Sequence, residues 1–134
     1  MRTTPLLDHV SIAVGDLSSA RPFYDAIMAV LGARKVYDHE AAIGYGERCS
    51  GESSGGSYVT VRRSSGVAPV DGLHWCFKAV NRQQVRAAFA AGIDAGGRDD
   101  GGPGLRAEYH PTYYAAFMKD PDGNRIEIVC HQSE

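Results

Sequence analysis

The chain predicts an α+β fold built from two copies of one unit: a strand, a helix and three further strands. Three observations predict it. Short runs near residues 6–14, 57–62, 73–79 and 125–130 alternate apolar and polar residues, the period of strands with one covered face. Two stretches between them keep helical spacing instead. A shift of 65 residues (74 − 9 = 65) then lays one half of the chain on the other. His9 falls on His74, Ile12 on Phe77, Asp16 on Asn81, Tyr24 on Phe89 and Gly32 on Gly97. A period this long means two copies of a supersecondary unit, because solenoids use shorter repeats and more of them.

Each element has a local reason. After the strand at 6–14, Asp16 or Ser18 caps a helix over 18–31. Ala20, Phe23, Ile27, Val30 and Leu31 form its apolar face, Pro22 falls in the first turn, and Gly32 ends it. Residues 34–39 and 41–47 read as two short strands around a tight turn, and the Gly/Ser-rich 48–56 as a loop. Ser57 to Arg62 is a fourth strand. Ser64 to Gly72 is a linker, which divides the chain into modules 1–66 and 70–134 of a single domain. The second module restarts with a strand at 73–79, and Asn81 caps a helix over 82–91 with Val85, Ala88 and Phe89 inward. Gly92, Gly96 and Gly97 read as its breakers. A short strand near 94–98 follows, then a loop over 99–112 and a strand from Tyr113 to Lys119. Asp120-Pro121-Asp122-Gly123-Asn124 is a strong turn signal, since Pro presets one dihedral and Gly accepts positive φ. The last strand is 125–130.

Composition narrows the function classes. At 134 residues and 43% hydrophobic content the chain can bury a real core. A net charge of −2, with no long basic run, speaks against nucleic acid or an anionic membrane as partner. Neither a signal-peptide core nor a membrane-length apolar stretch is present in the sequence. The three cysteines, Cys49, Cys76 and Cys130, have no CxxC spacing and read as reduced thiols in a cytoplasmic protein, with Cys76 and Cys130 buried and inert.

Three ionisable residues stand out within the strand patterns. His9, His74 and Glu127 each interrupt an alternating apolar run, so each points away from the face its neighbours cover. Two imidazoles and a carboxylate on one sheet surface are the donor set of an open divalent-metal site. Taken singly, each histidine reads equally as a hydrogen-bonded, half-buried side chain. The same alternation puts Ser11, Ala13, Tyr58, Thr60 and Arg62 on that wall, with Cys76, Lys78, Arg125 and Val129. Tyr58, Thr60, Arg62, Lys78 and Arg125 are the candidate substrate contacts. Lys78 and both arginines also read as solvated strand ends. The loop ending in Tyr109 and His110 is long for a compact domain, so His110 is a candidate acid/base, or a solvated loop residue. Tyr113 and Tyr114 point to opposite faces, so one offers a phenol to the cleft and the other packs. Asp8 and Glu108 read as surface or turn residues.

The order of elements resembles the vicinal oxygen chelate superfamily, which includes glyoxalase I, extradiol dioxygenases, fosfomycin-resistance enzymes and bleomycin-binding proteins. Leu7-Asp8-His9-Val10, Phe23-Tyr24, and the Asp120–Asn124 turn followed by Ile126-Glu127 carry the resemblance over essentially the whole chain. Tyr109-His110-Pro111-Thr112-Tyr113-Tyr114 is similar to a glyoxalase-like subgroup. The resemblance implies two βαβββ modules forming a curled mixed sheet around a cleft. It also implies ligands on the first and last strands, with His9 as first ligand, His74 as third and Glu127 as fourth. The second ligand departs from the family pattern. Subtracting 65 from Glu127 lands on Arg62, and a gap of two lands on Thr60; neither is a good donor. The remaining triad resembles that of the extradiol dioxygenases.

The expectation is a metal-dependent glyoxalase- or dioxygenase-like enzyme acting on a small substrate with neighbouring oxygens. Its cofactor is a divalent metal: iron, manganese, zinc or nickel. Homodimers are expected from the resemblance and from sheet edges that need cover. The alternative is a metal-free, small-molecule-binding protein of the bleomycin-resistance type.

Overall fold

A computed structural model describes residues 5–52, 54–66 and 69–133. The first half runs β1 (His9–Val14), α1 (Leu17–Leu31), β2 (Lys35–His39), β3 (Ala42–Gly46) and β4 (Tyr58–Arg63). The second runs β5 (His74–Lys78), α2 (Arg82–Asp94), β6 (Arg98–Asp99), β7 (Gly104–Leu105), β8 (Tyr114–Lys119) and β9 (Arg125–Cys130). The first sheet has the order β1-β4-β3-β2 and the second β5-β9-β8-β6, with β7 also on β8. In each sheet the first strand lies parallel to the last and the other pairs are antiparallel. The fold is therefore mixed α+β, with two open sheets.

One core unites the halves. Ile12, Val14, Ile43 and Val61 from the first sheet meet Ala116, Met118, Ile126 and Ile128 from the second, around Phe23, Tyr24 and Ile27 of α1 and Val85 and Ala88 of α2. The helices cover one face of each sheet and leave the other open. Asp16 caps α1, its Oδ1 accepting from the Ser18 N–H at 3.0 Å. Gly32 ends α1 at φ 78°, a left-handed conformation that costs a glycine little. Pro22 lies in the second turn of α1 rather than the first, because the helix begins at Leu17, and the helix continues through it.

The second half departs from the sequence expectation in three places. The short strand expected near 94–98 gives way to the end of α2 and a turn, and β6 starts only at Arg98. Gly92 does not break α2 but lies buried within it. A Cβ there would stand 2.6 Å from the Met118 Sδ and 3.0 Å from Ile27 Cγ2, so close packing offsets the weak helix propensity of glycine. The 99–112 loop is also not loose. Asp100 and Phe117 exchange backbone bonds with their neighbours (Asp100 N–H to Phe117 O, 3.0 Å; Phe117 N–H to Gly101 O, 2.7 Å), and the Arg106 N–H donates to Tyr113 O at 2.7 Å. The Arg106 guanidinium staples the glycine turn by donating to the Gly101 and Gly102 carbonyls. The segment is a strand split in two, both pieces paired to β8.

The Asp120–Asn124 turn ties the halves together. Asp120 is fully buried, and its carboxylate accepts from the Asp122 and Asn124 N–H groups, the Asn124 side-chain amide and the Tyr24 hydroxyl, the last at 2.6 Å. Asn124 Nδ2 donates to Ala13 O at 3.0 Å, and the Gly15 N–H to Asp122 Oδ1 at 3.1 Å. Burial, then the Asp120 charge, pushes the Tyr24 hydroxyl well above its ordinary range, so Tyr24 remains a donor. Among the described residues no helix is long and apolar enough to cross a membrane.

Candidate functional site

The open face of the second sheet carries a buried carboxylate. Register aligns His74 with Arg125, Cys76 with Glu127, and Phe117 with Glu127 from the other side. Alternation turns this set away from α2, while Ile126 and Ile128 face the core. Glu127 is 2% exposed, yet both its oxygens are partnered. His74 Nε2 lies 2.9 Å from Oε1 and the Tyr113 hydroxyl donates to Oε2 at 2.5 Å. Ala115, Phe117 and Val129 pack with Tyr113 into a small apolar shell around it. An unpaired charge in such a shell would be costly, and two donors offset that. Burial, then Glu127, pushes the Tyr113 phenol up, so at neutral pH it holds its proton and donates.

Cys76 is exposed rather than buried, the first correction to the sequence reading of this face. It still makes no nucleophile: poor solvation of the sulfur atom itself, where neighbouring side chains crowd it, and then the Glu127 charge push it far up, away from thiolate. Cys130 is buried as expected.

His9 stands on the first sheet. Its Nδ1 lies 2.7 Å from Asp8 Oδ2, and its ring stacks on Tyr58 at 4.8 Å and 14°. Hydrogen bonds from His9 and then Cys49 hold the Asp8 carboxyl below the usual range, so Asp8 is ionised and can only accept. His9 Nδ1 is then the donor. Sequence reading dismissed Asp8 as a turn residue; its place directly before His9 was the signal for an orienting carboxylate. His9 and His74 line one cleft of about 350 Å³ between the edges of the two sheets, with Leu7, Tyr58, Cys76 and Phe77. A more open groove continues past Leu6, Tyr45 and Val59. Among the described residues, no three His, Cys, Asp or Glu side chains are grouped so as to hold a metal ion.

The other candidates divide. Tyr113 joins the carboxylate, whereas Tyr114 lies against the helix-side core beneath Arg82 and Arg86 of α2, 5.1 and 5.8 Å from its ring. Tyr114 is thus the packing member of the pair. His110 packs edge-on to Tyr113, while its Nε2 bonds His131 Nδ1 at 2.9 Å. The Thr112 N–H donates to His110 Nδ1 at 3.2 Å, so Nδ1 is an acceptor there. It stands one residue removed from Glu127, on an ordered hairpin. Tyr58 lines the cleft, and Thr60 is buried against the Tyr37 hydroxyl. Arg62 and Lys78 are exposed. Arg125 is bound to Asp100 at 2.6 Å and lies 4.2 Å over Phe117. Register identifies the first-sheet counterpart of Glu127. Ser11 pairs with Thr60 as Cys76 pairs with Glu127, so Thr60, and not Arg62, is the counterpart of Glu127.

Comparison with known proteins agrees with this architecture. A protein from Vibrio cholerae described as "Probable lactoylglutathione lyase" is 30% identical over 127 residues, covering 90% of this chain and 87% of its own length. The crystal structure of a glyoxalase/bleomycin resistance protein from Albidiferax ferrireducens superposes with a TM-score of 0.78 at 28% identity, covering 96% of this chain and all of that one. A fosfomycin resistance protein from Listeria monocytogenes shares the fold, with a TM-score of 0.66 at 14% identity over 97% of this chain and 96% of its own. The sequence profile of the Glyoxalase/Bleomycin resistance protein/Dioxygenase superfamily matches residues 6–128. The chain belongs to the glyoxalase/bleomycin resistance protein/dioxygenase superfamily.

Proposed function

We propose that the chain is a metal-dependent enzyme of the glyoxalase/dioxygenase type, acting on a small substrate with neighbouring oxygens at the His74–Glu127–Tyr113 centre. One observation carries the reading: a carboxylate 2% exposed, on the open face of its sheet, with an imidazole and a phenol on its two oxygens. Structural cores rarely bury such a set without a use for it. The lyase relative and the superfamily support the reaction class.

The donors suit a divalent ion. His74 Nε2 and Glu127 Oε1 are 2.9 Å apart, the span of two right-angled bonds of about 2.0–2.2 Å. His9 lines the same cleft from the facing edge, with Asp8 at its Nδ1, and would have to move toward the pair to become a third donor. A bound ion would supply Lewis acidity to the substrate oxygens. The side chains do the rest. Tyr113 holds its proton at Oη and presents it to an oxygen arriving beside Glu127, which stabilises developing negative charge. Phe117, Ala115 and Val129 exclude water there. The proposal includes a homodimer, because β1 and β5 each end their sheet with an unpaired edge.

A metal-free binding protein is the second reading. It is favoured by the lack, among the described residues, of a three-donor group. Metal analysis of protein purified without a chelating column, repeated on His74→Ala, tests the choice. The expected result is a bound divalent ion in the wild type, lost with activity in the variant. Metal-free protein whose unfolding temperature ignores added iron(II), manganese, zinc and nickel returns the chain to the binding reading.

A further inference from the structure

The open face of the first sheet carries a line of rings that leads from His9 away from the proposed reacting centre. His9 stacks on Tyr58 at 4.8 Å. The Arg48 guanidinium lies over both Tyr58, at 5.6 Å, and Tyr37, at 4.6 Å. Tyr37 in turn stacks on His39 at 5.6 Å and 18°. The line crosses from β1 to β2 and ends at the cleft, because His9 and Tyr58 line it.

This surface is built rather than incidental. Tyr37 lies flat over Gly44, its partner in the β2–β3 register. A Cβ on Gly44 would meet three carbons of the Tyr37 ring at 2.4–2.8 Å. A glycine inside a strand weakens it, and here its absent side chain is the space the ring occupies. The Tyr37 hydroxyl is pinned by a hydrogen bond to Thr60, which is buried. Arg48 completes the surface. Stacking uses the face of a guanidinium and leaves its N–H edges free. Among the described residues no carboxylate forms an ion pair with it. An exposed guanidinium lying over two rings, with no carboxylate partner of its own among those residues, suits a bidentate carboxylate.

We propose that this face is the recognition platform for a planar, conjugated carboxylate, with Arg48 as its anion anchor and Tyr37 and Tyr58 as its stacking walls. The proposal rests on the reading above that the cleft takes a small oxygenated substrate, and it names the class: an aryl carboxylate with an adjacent hydroxyl or carbonyl oxygen. Arg48 holds the carboxylate, and the ring lies beside Tyr58 at the mouth of the cleft, since His9 already stacks on Tyr58. The neighbouring oxygen then points into the cleft that His74 lines.

Two probes test it by calorimetry on the full chain: 2-hydroxybenzoate and 2-hydroxybenzamide, which share a ring and hydroxyl but differ in charge. The wild type should prefer the carboxylate by roughly 10–100-fold, the worth of hydrogen bonds to a charged group. Arg48→Gln should abolish that preference, and Arg48→Lys should restore only part of it, since an ammonium neither stacks as well nor forks. Unchanged unfolding temperatures would show that the variants are folded. Glu127→Gln should keep the preference, so a failed catalytic reading and a failed platform give different results. Equal binding of the probes by the wild type would overturn the proposal. So would a preference that survives Arg48→Gln, or failure of both probes to bind at millimolar concentration. Tighter binding of S-lactoylglutathione, indifferent to Arg48→Gln, would overturn it as well.

Discussion

The open faces of the two sheets have the same strand scheme and opposite chemistry. On the second, Glu127 is buried and takes its partners from His74 and Tyr113. On the first, the same register position is Thr60, whose one recorded partner is the Tyr37 hydroxyl. A carboxylate there would need donors and would draw a cation; a hydroxyl needs only one neighbour. Exchange of the acid for Thr thus leaves the first face to rings and arginines, while the second keeps the reactive group. The lesson is that one buried polar residue per sheet decides what the face can do, because its unmet hydrogen bonds dictate its neighbours.

The largest expected effect comes from removing the carboxylate that sets the faces apart. Glu127→Gln should lower turnover by more than roughly 100-fold, because it removes the charged donor to the proposed ion and the acceptor that orients His74 and Tyr113. Thr60→Val, at the counterpart position, should leave turnover within a few-fold. Steady-state kinetics on the two variants break the comparison if they fall together.

Tyr113 and His110 sharpen it next. Tyr113→Phe removes a hydrogen bond to a buried charge and should cost about 1.5–3 kcal/mol in transition-state stabilisation, or roughly 10–100-fold in kcat. His110→Ala should have the smaller effect, because its polar contacts run to His131 and Thr112 and not to Glu127. A reversed order of kcat would make His110 the proton carrier and the sequence-based assignment the better one.

The latch between the halves gives a stability prediction. Tyr24→Phe removes one of the donors to buried Asp120 and should destabilise the chain by about 1–3 kcal/mol in urea. The wild type should also show an alkaline loss that the variant lacks. Folding raises the Tyr24 value, so its contribution is complete below the unfolded phenol value of about 10 and is lost as pH climbs above it. Identical alkaline limbs would remove Tyr24 from that role.

The smallest effect belongs to Gly44. Gly44→Ala should displace the Tyr37 ring and cost about 1–2 kcal/mol by overpacking, with kcat at the other face retained and KM raised. Denaturation midpoints and kinetics on one preparation check it.

Much of this protein is written in local pattern. Strand phase put His9, His74 and Glu127 on open faces because side chains alternate whatever the tertiary context. Asp16, Asn81 and Gly32 mark helix ends through hydrogen bonds and dihedrals that lie within a few residues. What needed the folded chain was every choice made by distant partners. Gly92 stays helical because Met118 and Ile27 leave no room for a side chain. Tyr113 rather than Tyr114 faces Glu127, since β8 takes its phase from pairing with β9. Asp8 orients His9, and Arg48 finds Tyr37 and Tyr58, through contacts no periodicity encodes. The 99–112 segment is ordered because β8 supplies backbone partners that its own glycines and prolines do not announce. Local sequence determines which way each side chain points, and tertiary packing decides what it meets, because contacts between distant segments form only once the core has closed.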